Sequence, residues 1–133
     1  KDCGGKINWI FGRTTHLQGD PLRGKESPYE IDYVSGACML IDRRVFKKVG
    51  FFDEQFFMYC EDVDFCIRAK KAGFKISVNP NIAVSHKLSK NNQKYAYVLQ
   101  SNLKFINKWV PWYFKPAAYI YFLALNFKIW LNF

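Results

Sequence analysis

Residues 34–76 read V-S-G-A-C-M-L-I-D-R-R-V-F-K-K-V-G-F-F-D-E-Q-F-F-M-Y-C-E-D-V-D-F-C-I-R-A-K-K-A-G-F-K-I, and this stretch decides the fold class. It holds two helix signals in succession. The first is Asp42-Arg43-Arg44-Val45-Phe46-Lys47-Lys48-Val49-Gly50. Asp42 can cap the free amides of a first turn, Lys47 and Lys48 suit the negative end of the helix dipole, and Gly50 can end the helix. The second begins near Glu61. Glu61, Asp62 and Asp64 fill its first turn, Arg68, Lys70 and Lys71 fill its last, and Gly73 closes it.

Short strand signals flank the helices. Residues 31–34 read as one strand, and the apolar run 37–41 reads as a buried one. Residues 75–78 and 82–85 are β candidates split by Asn79-Pro80-Asn81. Upstream, residues 1–30 are rich in Gly, Thr, Asp and Pro, with turn signals at Gly19-Asp20-Pro21 and Ser27-Pro28. They read as one long irregular loop, a kind of segment that is usually functional or mobile. Downstream, Tyr95, Val98, Leu99, Asn102, Ile106 and Trp109 follow helical spacing over about residues 94–109. The expected class is therefore α/β, with a domain over 1–108 and an aromatic, helical tail over 109–133. Pro111 and Pro116 break the start of that tail. Its uncharged part, 116–127, is twelve residues long, whereas a spanning helix needs about 20. The tail reads as an interfacial helix.

The chain has 133 residues, half of them apolar and 19% aromatic, enough for one domain with a real core. It begins with Lys1 and shows no signal-peptide pattern, as expected of a piece of a longer protein. Cys3, Cys38, Cys60 and Cys66 form no C-x-x-C pair, so free thiols in a reducing cytoplasm are expected; there is also no N-x-S/T sequon. Charge is divided along the chain. All eleven acids lie at or before Asp64, while residues 65–133 carry eleven Lys and Arg and no acid. Such a half calls for an anionic partner: lipid, nucleic acid or a phosphorylated substrate.

Three acids stand within residues 61–64. On a helix Glu61 and Asp64 share a face and Asp62 points elsewhere. Acids also simply suit a helix N-terminus. The preceding aromatics, Phe51-Phe52 and Phe56-Phe57-Met58-Tyr59, could wall an apolar pocket that raises a carboxyl pKa and suits it to base chemistry. Gly36, between Ser35 and Ala37, would let backbone approach a ligand; a turn or strand glycine is the plainer reading. His86 ends a β candidate, where a metal ligand or phosphate contact could sit, as could an ordinary surface or core histidine.

Taken in order, residues 34–76 resemble the second half of the family 2 glycosyltransferases, in particular the rhamnosyltransferase-like bacterial members that build surface polysaccharide. The resemblance runs over about residues 31–90 and continues weakly through residues 100–108. It implies the C-terminal portion of a three-layer sandwich of the glycosyltransferase A type. It also implies a nucleotide-sugar donor, a glycan or lipid-linked acceptor, and a divalent metal, Mg²⁺ or Mn²⁺. By the same resemblance Asp62 corresponds to the catalytic base and Glu61 to a residue that orients the acceptor. Ser35, Gly36 and Ala37 match the glycine-rich loop near the sugars, and His86 matches a late histidine that helps hold metal or diphosphate. Asp64 and Arg68 read as structural. The family commonly places Gly where Cys60 stands, and packing is expected to tolerate the small Cys. The donor half, with its Asp-x-Asp metal motif, is not in these residues. Asp62-Val63-Asp64 has that spelling but lies in the helix.

Two other readings compete. The acid-free second half and aromatic tail suit a membrane-surface module without catalysis of its own, at the inner face of the membrane. Lys interleaved with aromatics could bind single-stranded nucleic acid, but no RNA-binding or helix-turn-helix signature is found, and no nucleic-acid partner is expected. A metal hydrolase would need more ligands than the acids and His86 supply.

Overall fold

The two central helices lie where the sequence put them: the first starts on a capping Asp42, and the second opens with its three acids but without a side-chain cap. The computed structural model describes residues 2–18, 27–85 and 94–131. Strands β1 (Asp2–Asn8) and β2 (Arg13–Gln18) form an antiparallel hairpin. Then come β3 (Tyr29–Glu30), helix α1 (Arg43–Val49) and helix α2 (Glu61–Lys71), followed by β4 (Ser77–Val78), which pairs antiparallel with β3. Helices α3 (Lys94–Trp109) and α4 (Lys115–Leu131) end the chain. The described residues thus combine helices with two small sheets.

Helix α1 starts on Asp42, whose Oδ1 accepts the Arg44 amide at 2.8 Å. The Arg44 guanidinium grips the same carboxylate at 2.6 Å and holds its pKa down at about 2. Helix α2 is buried on two sides. Val63, Cys66 and Ile67 recur at helical spacing and join Phe105 and Ile106 of α3, Val110 just beyond it and Ala118 of α4 in one cluster. Phe65 and Ala69 face a second cluster with Val45 of α1. Burying one such Phe or Ile side chain contributes about 2 kcal/mol, so α2 is the post around which the chain is built.

Several expectations fail for tertiary reasons. Residues 1–30 are not one irregular loop, because the hairpin occupies 2–18; Gly19-Asp20-Pro21 lies outside the described residues. The glycines that look like loop composition are packing sites. A Cβ on Gly5 would lie 2.1 Å from the Tyr33 ring, and the Gly5 amide donates to the Tyr33 carbonyl at 2.9 Å. Gly12, at φ +58°, brings the hairpin turn against Ile106, Val110 and Ala118. The buried strand expected at 37–41 is instead an open loop in which Leu40 is fully exposed. Ser35 sets up a turn there, and among the described residues no neighbouring strand offers a ladder. Tyr33 makes only an isolated bridge to Gly5, so the strand expected at 31–34 sits earlier, as β3. Residues 82–85 form no strand, and Ile82 and Val84 are exposed.

The tail divides at its prolines. Pro111 follows the end of α3, and Pro116 sits in the first turn of α4, where its missing N–H leaves no bond unmade. Ala118 is wholly buried, and Phe114, Tyr119 and Phe122 pack on the same cluster. The other side leaves Trp112, Ile120, Leu123 and Phe127 exposed. No helix among the described residues is long and apolar enough to cross a membrane.

Candidate active site

The acidic corner at the start of α2 is aimed by an unusual piece of backbone. Tyr59 and Cys60 take φ values of 69° and 64°, the left-handed region, in consecutive non-glycine residues. Each costs roughly 1–2 kcal/mol. The double turn delivers the first turn of α2 beside the 35–37 loop. Asp62 Oδ2 there accepts the Gly36 amide at 2.9 Å, and its Oδ1 accepts the Val63 amide at 2.8 Å. Ser35 Oγ accepts the Ala37 amide at 3.3 Å and closes the loop. Of the residues expected at the site, Gly36 and Asp62 therefore meet directly. A Cβ on Gly36 would lie 3.7 Å from Asp62 Cβ, an ordinary contact, so the glycine leaves the carboxylate uncovered rather than relieving a clash.

Glu61 has a different setting. It is half-buried, and Oε2 is buried with no hydrogen-bond partner among the described residues. Burial pushes its carboxyl pKa up, its own backbone amide opposes this, and the charge of Asp62 adds to the rise. Two adjacent carboxyls thus sit in unlike surroundings. The expected aromatic wall is not continuous. Phe56 is in the core, Phe52 stacks on Phe65 at 4.7 Å, and Phe51 and Phe57 point outward. The aromatic run alternates between supporting α2 and facing solvent.

Asp64 is a different kind of residue from its neighbours. It is fully buried, and three donors surround it: Arg68 Nε at 2.8 Å, Trp109 Nε1 at 2.8 Å and Lys108 Nζ at 2.7 Å. Lys108 also reaches Asp53 at 2.5 Å, and Arg68 donates to the Val49 and Phe51 carbonyls. The structural reading of Asp64 and Arg68 fits this geometry. The parts played by Lys108, Trp109 and Asp53 at this site had no sequence signal beyond the charge of Lys108 and Asp53, because their partners lie 44 to 55 residues away.

The family model described as "Glycosyltransferase like family 2" matches residues 21–103, more than half of the chain. The chain belongs to glycosyltransferase family 2. Among curated relatives it is 41% identical over 73 residues to an N-acetylglucosaminyl-diphospho-decaprenol L-rhamnosyltransferase of Mycobacterium tuberculosis, covering 55% of this chain and 23% of that one. It is 33% identical over 96 residues to the rhamnosyltransferase WbbL of Escherichia coli, covering 70% and 33%. It is 31% identical over 90 residues to a low-salt glycan biosynthesis hexosyltransferase of Haloferax volcanii, covering 67% and 29%. The chain spans a third or less of the length of these relatives. No solved structure matches it.

The glycosyltransferase departure at Cys60 now has a physical reading. The position has φ 64°, where glycine is at ease and any side chain is strained. Cys60 nonetheless fits: it is buried and its Sγ lies 3.8 Å from Asn102 Oδ1. Burial, with the nearby Asp62, Glu61 and Asp64 charges, pushes its thiol pKa up to about 12, so it stays a neutral donor. The metal expected of the family does not find a site among the described residues. Among the described residues no three His, Cys, Asp or Glu side chains converge, and His86 lies outside them. Glu61 and Asp62 offer oxygens but no completed ligand set, so no chemical step is assigned to a metal.

Proposed function

We propose that this chain is the acceptor-side part of an inverting sugar transferase, with Asp62 as general base. The hydrogen bond from Gly36 to Asp62 is the observation that carries the reading, since it seats the carboxylate beside the loop matched to the sugar site. An acceptor hydroxyl is a poor nucleophile until a carboxylate takes its proton. Here the hydroxyl oxygen attacks the anomeric carbon, its proton passes to Asp62, and the nucleoside diphosphate leaves from the opposite side, which inverts the centre. Glu61 orients the acceptor. The donor pocket and most ligands for Mg²⁺ or Mn²⁺ belong to a further segment, which would complete a three-layer sandwich of the glycosyltransferase A type. The M. tuberculosis relative is named for a lipid-diphosphate acceptor, and we extend that class, a glycan or lipid-linked acceptor at the inner membrane face, to this chain.

Asp62→Asn in the complete transferase should lower kcat roughly a hundred- to ten-thousandfold. An Asn variant with unimpaired turnover removes Asp62 as base. The isolated chain should bind a nucleoside diphosphate weakly; tight, metal-dependent binding in calorimetry would contradict the missing donor half.

A membrane-surface role is a second reading, favoured by the outer side of α4 and the turn before it, where Ile120, Leu123, Phe127 and the preceding Trp112 are 60% exposed or more. Anionic vesicles should retain the chain, and salt should weaken retention. Cutting at Asn107 would also strip Trp109, Val110 and Ala118 from the interior, so Ile120→Glu with Leu123→Glu is the cleaner variant. Undiminished retention by that variant counts against the reading.

A further inference from the structure

The strained Tyr59-Cys60 turn needs an anchor on its upstream side, and α3 supplies one. The Ser101 hydroxyl, almost fully buried, donates to the Met58 carbonyl at 2.6 Å. Lys104 Nζ donates to the Gln55 carbonyl. Lys108 Nζ holds Asp53 Oδ2 at 2.5 Å. Ser101, Lys104 and Lys108 are spaced three and four apart, so they form one stripe along α3. Their partners Met58, Gln55 and Asp53 run in the opposite chain direction, each met in turn. The loop between α1 and α2 is therefore pinned at three successive points by one helix face. Downstream, the Cys60 carbonyl accepts the Asp64 amide at 2.8 Å, the first bond of α2.

We propose that Ser101, Lys104 and Lys108 are positioning residues for Asp62. None has a hydrogen bond or ion pair to Asp62 among the described residues, although Lys108 also bonds to the buried Asp64. They fix residues 53–58, which forces Tyr59 and Cys60 into the left-handed turn, and the turn fixes the direction in which α2 presents Asp62 to Gly36. Released, two non-glycine residues relax toward right-handed or extended backbone. Asp62 then moves off Gly36, and the base no longer lines up with the acceptor hydroxyl. The inference rests on the reading of Asp62 as base, but its geometric half can be measured without turnover.

The test is Ser101→Ala combined with Lys104→Met in the complete transferase, leaving Lys108 and its buried partner untouched. We expect kcat to fall roughly ten- to a hundredfold, as for a base displaced by about 1 Å, with KM held within about twofold. The Gly36 amide proton should shift upfield in the NMR spectrum as its bond to Asp62 weakens. Lys104→Arg, which keeps a donor for the Gln55 carbonyl, should retain kcat and the amide shift. Unchanged kcat together with an unmoved Gly36 amide in the double variant overturns the proposal. So does a loss in which kcat and KM worsen together in step with the melting temperature. If Asp62→Asn proves active, the base reading fails by itself, and the Gly36 amide alone decides the clamp: moved upholds it, unmoved overturns it.

Discussion

Replacing Asp64 by Asn tests what kind of acid this residue is. As a helix-terminus acid it would contribute about 0.3–1 kcal/mol through the dipole. As the buried counter-charge for Arg68 and Lys108 it is worth more, because removing one partner of a buried pair costs about 3–5 kcal/mol. Asp64 is fully buried, while the Arg68 and Lys108 side chains keep 20% and 33% exposure, so water still screens the stranded cations in part. The lower end applies, about 3 kcal/mol. Asn has almost the same shape, so no cavity adds to this, and its carbonyl can still accept from Trp109. With 133 residues and an unfolding entropy of about 2.1 cal/mol/K per residue, 1 kcal/mol moves the melting temperature by about 3–4 °C. The expected loss is therefore about 10 °C in circular-dichroism melts of the chain. Added salt should narrow that difference only modestly, since a partly buried pair is screened much less than an exposed one. A loss below about 4 °C would return Asp64 to the role of a terminus acid and refute the buried-hub account.

Glu61→Gln should stabilise the chain at neutral pH. Burial raises the folded-state pKa of Glu61, so the folded chain holds its proton above the unfolded value near 4.3. Stability from this group falls as pH rises from that value through the raised one, and the gain from Gln should vanish below about pH 4; melts that show no gain at pH 7 contradict it. Near neutral pH, iodoacetamide should label Cys38 alone in the native chain and all four thiols after denaturation. Burial holds Cys60 up at about 12 and Cys66 at about 11, and rapid labelling of either would show that α2 is not packed as described. Gly5→Ala places a Cβ 2.1 Å from the Tyr33 ring, and urea unfolding should show a loss of about 2 kcal/mol or more. A neutral result would mean that the hairpin is not seated on Tyr33.

The sequence by itself determined α1, α2 and the neighbourhood of Asp62. A cap, a first-turn acid or a closing glycine acts on backbone groups within about four residues, so Asp42, Gly50, Glu61 and Gly73 declare their elements locally. The resemblance over residues 34–76 singles out Asp62 and Gly36, and the packed chain brings the two within 2.9 Å. Tertiary structure decided the rest. Gly4, Gly5 and Gly12 read as loop until Ile31, Tyr33 and Ile106 are packed over them. Residues 37–41 look like a buried strand because apolarity alone does not say whether a partner strand exists. Asp64 and Asp62 look alike in sequence, two residues apart on one helix. One is enclosed by Arg68, Lys108 and Trp109, and the other meets the Gly36 amide at a loop. Apart from Arg68, one helical turn on, the groups that make the difference arrive from 26 to 45 residues away, and only the packed chain brings them together.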